Sequence, residues 1–340
     1  MRQLKLGESD LVVFEFANGY DQDRRKAVER STARGRSLLI IALVLALGAT
    51  AATAGYSLVF ERTLPLDAGR TGANMPVAVT IDPVAGEICV TDTRQAAFHL
   101  LNEHDVQTFR TDHVAQLSYP ADGSVDDAGR IVFLDSDGDG GTTIRRLTVL
   151  GEPDPYVADA PADDWQPRHL IITRDGAYLT LAPTSGILAK HDPRTGALLW
   201  QRFCGLDGET GDQLGRPAEA PDGRLYIPGG DLRATLVMDA DGHLLKAFGR
   251  FGSAPGRVIL PVGVAFGPGG EILVLDRLRG KILVHDADHQ FVTEFGSIGY
   301  RPGQFYHPLS VAADEEGRVY VTQGFRGRVQ IFRLAQDTAR

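Results

Sequence analysis

An all-β body, a six-bladed β-propeller preceded by a single transmembrane α-helix, is expected of this chain, and three observations lead there. One glycine recurs at Gly86, Gly129, Gly176, Gly223, Gly270 and Gly317, at spacings of 43, 47, 47, 47 and 47 residues. A period of about 40–50 residues with four short strands per unit marks a propeller rather than a sandwich. No 3.6-residue apolar stripe interrupts the units, so helices are not expected among them. Ahead of them, Ser37 to Phe60 runs 24 residues without a charge.

Residues 1–36 carry 8 Lys+Arg and 6 Asp+Glu, and are expected in the cytoplasm. Within them Leu11 to Phe16 reads as a strand or a small apolar patch closed by Asn18-Gly19. Asp23 to Arg36 reads as a basic helix against anionic headgroups, or as a solvated tail that only sets topology. Residues 37–60, about 36 Å long as a helix, can span a hydrocarbon layer of about 30 Å. Arg24, Arg25, Lys26, Arg30, Arg34 and Arg36 precede the span and a balanced set follows it. That bias puts the N-terminus inside and the rest in the periplasm or outside a bacterial plasma membrane. A cleaved leader, cut near Ala49-Thr50-Ala51 or Ala52-Thr53-Ala54, is the alternative.

Residues 61–334 hold the propeller and 335–340 a short tail. After each turn glycine comes an aliphatic or β-branched run: Glu87-Ile88-Cys89-Val90 in unit one, Arg318-Val319-Tyr320-Val321 in unit six. A proline usually opens the first strand, at Pro76, Pro120, Pro167, Pro261 and Pro308. Unit four departs, with Leu214 at that place and Pro217 three residues later. First strands carry small residues, as in Val262-Gly263-Val264-Ala265-Phe266, which suits the crowded inner strand of a blade.

Phe295-Gly296-Ser297-Ile298-Gly299-Tyr300-Arg301-Pro302-Gly303-Gln304-Phe305-Tyr306-His307-Pro308 resembles the NHL repeat, and Phe248-Gly249-Arg250-Phe251-Gly252 to Pro261 echoes it one unit earlier. The resemblance implies a ring closed by a segment before the first repeat. Leu58 to Leu64 is the candidate outer strand for the last blade, whose third strand begins at Arg328. It also implies two kinds of function, because NHL-like propellers include binding modules and enzymes such as the peptidyl-amidating lyases. Those lyases hold a metal over the channel with histidines from several blades.

Composition excludes several classes. With 43% hydrophobic and 23% charged residues the chain can bury a core. Cys89 and Cys204 are too few for a disulfide scaffold, a multi-Cys zinc site or an iron–sulfur cluster. Residues 37–340 carry 27 Lys+Arg and 38 Asp+Glu, and an acidic body does not suit nucleic acid.

The channel mouth is expected at the residues before each first strand: Met75, Tyr119, Gln166, Gln213, Leu260 and His307. One histidine in that ring falls short of a zinc site, and of the other eight only His169 reaches the same mouth. Asp135, Asp137 and Asp139 have the D-x-D-x-D-G spacing of a Ca²⁺ loop, but Arg146 stands where the bidentate Glu belongs. A solvated turn is the alternative, since Asp92 and Asp276 sit at the matching place. His191 to Trp200 resembles a quinoprotein-type blade motif, read here as a hairpin with Trp200 packed between blades. Arg277, Arg279, Phe325 and Arg326 share one rim and are residue types enriched at protein contacts. The leading expectation is a non-catalytic, membrane-anchored scaffold that binds membrane or periplasmic proteins and needs no cofactor. The alternatives are a metal-dependent hydrolase or lyase at the channel mouth, and an extracytoplasmic sensor.

Overall fold

Each of the six turn glycines takes a positive φ, between 68° and 85°, a conformation open to glycine and resisted by residues with a Cβ. Each sends the chain from the first strand of a unit back along the second, which is why the period shows in glycine. The computed structural model describes residues 55–66, 74–111, 117–137, 141–163, 165–204, 214–229 and 233–337. The expected cytoplasmic segment, the apolar span up to residue 54, Asp139, Gln213 and residues 338–340 lie outside the described residues.

Strand β1 (Gly55–Thr63) precedes the first repeat. Blade one holds β2 (Pro76–Ile81), β3 (Ile88–Asp92), β4 (Ala97–Leu101) and β5 (Gln107–Arg110). Blade two holds β6 (Tyr119–Val125), β7 (Ile131–Ser136), β8 (Thr142–Leu147) and β9 (Pro153–Asp154). Blade three holds β10 (His169–Ile172), β11 (Tyr178–Ala182), β12 (Ile187–His191) and β13 (Leu198–Phe203). Blade four holds β14 (Ala218–Glu219), β15 (Leu225–Gly229), β16 (Ala234–Met238) and β17 (Leu244–Phe248). Blade five holds β18 (Pro261–Phe266), β19 (Ile272–Asp276), β20 (Lys281–His285) and β21 (Phe291–Phe295). Blade six takes β22 (Val311–Ala313), β23 (Arg318–Gln323) and β24 (Arg328–Asp337), with β1 as its outer strand.

The ring closes as the repeat implies. β1 runs antiparallel to β24 from Gly55 opposite Asp337 to Thr63 opposite Gln330. This moves two boundaries. Residues 55–60, counted with the apolar span, are strand, and residues 335–337, counted with the tail, continue β24. Tyr56, Leu58 and Phe60 pack onto the core of blade six, so the end of the apolar stretch is spent on the propeller. Among the described residues no helix is long and apolar enough to cross a membrane.

Six buried clusters lie one at each joint between neighbouring blades. Leu273, Leu275 and Val284 of blade five meet Val319, Val321 and Phe332 of blade six. Val79, Val90 and Leu101 of blade one meet Tyr320, Val329 and Ile331 of blade six. Burial between sheets rather than within one core binds the ring. Cys89 and Cys204 sit in two of these joints, unpaired as expected, and burial pushes both thiols up to about 12. Thiols of that kind are protonated packing groups, not nucleophiles. Trp200 of β13 packs against the joint of blades three and four.

Three of the inner strands are bulged. Registers slip between Pro76 and Ala78, between Pro120 and Asp122, and between Pro261 and Gly263. One extra residue at each place re-aims the side chains that follow. Blade four goes further, because β14 keeps only two residues. Ahead of it Leu214 bridges Gly229 within the blade, and Arg216 bridges Gly263 of blade five in parallel. Gly215 permits this: a Cβ there would stand 2.5 Å from the Val262 carbonyl.

Candidate active site

At the end where the inner strands begin, a cavity of about 640 Å³ opens. Of the expected mouth residues, Met75, Tyr119 and Leu260 line it. Gln166 is exposed outside the lining. His307 also stays outside it, edge-on to the Phe325 ring at 5.8 Å between centroids.

The chemistry sits three residues further along each unit. That register holds Ala78, Asp122, His169, Arg216, Gly263 and Ser310, small in three blades and ionisable in three consecutive ones. Asp122 is 0% exposed. Its Oδ1 accepts from Gly123 N at 2.8 Å. Its Oδ2 accepts from Leu170 N at 3.0 Å and from Arg216 Nε at 2.8 Å. Arg216 Nη2 also donates to Leu170 O at 2.7 Å. A carboxylate of blade two therefore ties blade three's main chain to blade four's guanidinium. Because blade four enters early, at Gly215, Arg216 reaches this place.

His169 completes the group, with Nδ1 4.0 Å from Asp122 Oδ2 and 24% of its side chain open to the cavity. Burial pushes its pKa down to about 4, with the nearby Asp122 carboxylate pulling the other way and Arg216 pushing further down. At neutral pH the ring is uncharged and can take a proton. Asp122 is placed to stabilise the imidazolium that would form. Arg168 and Arg277 also line the cavity.

This lining does not fit a divalent cation. Among the described residues no carboxylate lines the cavity, Asp122 being buried and held by Arg216, and three guanidinium groups do, whereas Ca²⁺ and Zn²⁺ sites need several converging anionic or neutral donors. Of the residues of the expected Ca²⁺ loop, Asp135 and Asp137 are described. Asp135 accepts from Ser118 N and Tyr119 N and pairs with Arg145 Nη1 at 2.8 Å. Asp137 accepts from Gly141 N at 2.9 Å. Asp92 and Asp276 likewise hold the loops before their first strands, through Met75 N and Leu260 N. Among the described residues one metal-type triad occurs, Asp239, Asp241 and His243, in the exposed turn between β16 and β17 and outside the cavity lining.

The rim divides. Arg277 and Phe325 face the cavity, and Phe325 is 59% exposed. Arg279 is a buried strut, donating to Glu294 Oε1 at 2.8 Å and to the carbonyls of Arg257 and Ser253. Arg326 lies over the Tyr300 ring at 4.9 Å. Asp122, Arg216 and Arg168 were not singled out from the sequence. The signal existed: an inner-strand register that is small in units one, five and six turns Asp, His, Arg in units two to four.

No protein-family model matches the chain, and no curated protein matches it. Its fold is shared with solved structures. A streptogramin B lyase is 13% identical with a TM-score of 0.58, covering 82% of this chain and 98% of that one. A gluconolactonase from Xanthomonas campestris is 17% identical with a TM-score of 0.58, covering 77% and 87%. A protein described as a putative gluconolactonase is 14% identical with a TM-score of 0.59, covering 84% and 94%. These neighbours overturn the expectation of a non-catalytic scaffold. Two are described as a lyase and a gluconolactonase and the third as a putative gluconolactonase, which is nearer to the alternative expectation of an enzyme at the channel mouth.

Proposed function

We propose that this propeller is a lactone-opening hydrolase of the lactonase-like kind, with His169 as general base at the channel mouth. The observation that carries the reading is the neutral imidazole of His169, partly open to a cavity and backed by a buried Asp122–Arg216 pair. In this reading His169 takes a proton from a water molecule as its oxygen attacks the lactone carbonyl. Arg216, fixed by Asp122, supplies positive charge as the carbonyl oxygen becomes an oxyanion. The ring oxygen then leaves and takes the proton back from His169, yielding a hydroxy acid. Because the lining does not suit a metal, no step is assigned to one.

The glycine-rich linkers of the last two units support an NHL-type scaffold for this site. The apolar sequence before Gly55 supports tethering to a membrane with the propeller outside the cytoplasm. The test is incubation of the purified protein with gluconolactones and with a cyclic depsipeptide lactone in ¹⁸O-water, followed by mass spectrometry. Gain of one labelled water in the product supports hydrolysis. An unsaturated isomer without added water would indicate elimination, and no conversion of any lactone would remove the enzymatic reading.

A further inference from the structure

Resting on the lactone-opening reading, we infer that the substrate class is a lactone bearing a free carboxylate, held by Arg168 and Arg277. Both side chains line the cavity that holds His169 and Arg216. Among the described residues neither guanidinium has an acceptor: each residue's hydrogen bond is made by its main-chain N–H, Arg168 to Leu181 O and Arg277 to Leu260 O. The contrast with their neighbours is chemical. Arg216 is tied to Asp122, Arg279 to Glu294 and Arg145 to Asp135. Those three guanidinium groups are already spent, whereas Arg168 and Arg277 line the cavity without an acid partner among the described residues.

The carboxylates nearby do not balance them. Asp92 and Asp276 give their oxygens to main-chain amides before β2 and β18, and Asp122 is committed to Arg216. Arg277 is half-buried, and loss of water there pushes its pKa down, as expected of a cation lacking an anion. Its planar fork matches a carboxylate in two-point contact. The lining also includes the apolar Val77, Leu260, Val262 and Leu309. That mixture suits a compact ring of carbon that carries an acid group. The arginines come from blades three and five, either side of Arg216, so a carboxylate between them leaves the rest of the ligand near His169.

The experiment compares two lactones of the same ring size that differ at one end. Glucaro-1,4-lactone has a carboxylate where glucono-1,4-lactone has a hydroxymethyl group. Opening rates and calorimetric binding of glucarate are measured for wild type, Arg168→Gln, Arg277→Gln and Arg277→Lys. The inference expects kcat/KM to favour the acid lactone by at least about tenfold, the size of one charge-assisted hydrogen bond. It expects Arg277→Gln to collapse that ratio towards one and weaken glucarate binding about tenfold or more, with partial recovery in Arg277→Lys. If both lactones open at equal rates and the ratio ignores both arginines, the carboxylate inference is overturned while the hydrolase reading stands. If neither lactone opens but glucarate binds and Arg277→Gln abolishes binding, the acid site is supported and the hydrolase reading fails. Unchanged glucarate binding in both Gln variants overturns the inference.

Discussion

Replacing Asp122 probes the tie between three blades. Asp122→Ala removes the acceptor shared by Leu170 N and Arg216 Nε and leaves a guanidinium with only 11% of its side chain exposed and no acid partner. Breaking a buried pair by deleting one member costs about 3–5 kcal/mol. For a propeller of this size each kcal/mol moves Tm by about 2 °C, so the variant should melt about 6–10 °C lower. Asp122→Asn keeps the shape and one acceptor oxygen but loses the charge, and should lose roughly half as much. The carboxylate also pulls the His169 pKa up, so both variants should shift that ring further down. Differential scanning calorimetry reads the stability, and NMR of isotope-labelled histidine reads the titration. Melting of Asp122→Ala within about 1 °C of wild type, with His169 titrating unchanged, would refute the tie.

Other expectations follow from the same structure. His169, His191 and His285 all have pKa values pushed down to about 4 by burial, below the unfolded value of about 6.5. The unfolded chain therefore binds more protons between those values, and stability falls as pH drops from about 6.5 to 4, by up to about 3 kcal/mol for each ring. A melting temperature flat across that window would contradict it. Removing Gly55–Thr63 strips β24 of its outer partner and exposes Phe332 and Leu334, which pack with Tyr56, Leu58 and Phe60. Loss of a cooperative thermal transition is expected, and an unchanged transition would place closure elsewhere. A reporter fused after Arg340 of the full chain should be active only outside the cytoplasm, because the basic residues 24–36 precede the apolar span. Cytoplasmic activity would reverse the topology.

The propeller was legible because its turns demand glycine and its joints demand alternating apolar strands, both written at fixed period. Closure was legible through the NHL resemblance, because the last repeat stops after its third strand and Leu58 to Leu64 precedes the first. The site was harder to read. The residues expected at the mouth, Met75, Tyr119, Gln166, Gln213, Leu260 and His307, carry one histidine, whereas the ionisable group lies three residues later, where the bulge between Pro120 and Asp122 re-aims Asp122. Only His169 was noticed there. Arg216 was hidden by the irregularity of unit four, where Gly215 lets the chain bridge to blade five instead of starting its own strand. Local rules broke where the chemistry sits. The rim arginines show the opposite error: Arg277 and Arg279 share a hairpin and a residue type, yet one faces the cavity and the other braces a loop through Glu294.

The central claim is that His169 moves the proton in lactone opening. It is tested by measuring kcat/KM for wild type and His169→Asn against pH, with melting curves on the same preparations. The account predicts a fall of at least about 100-fold at neutral pH with Tm close to wild type, and a wild-type acid limb governed by a group of pKa about 4. A His169→Asn protein that opens the lactone at the wild-type rate, or an acid limb that survives the substitution, would contradict it.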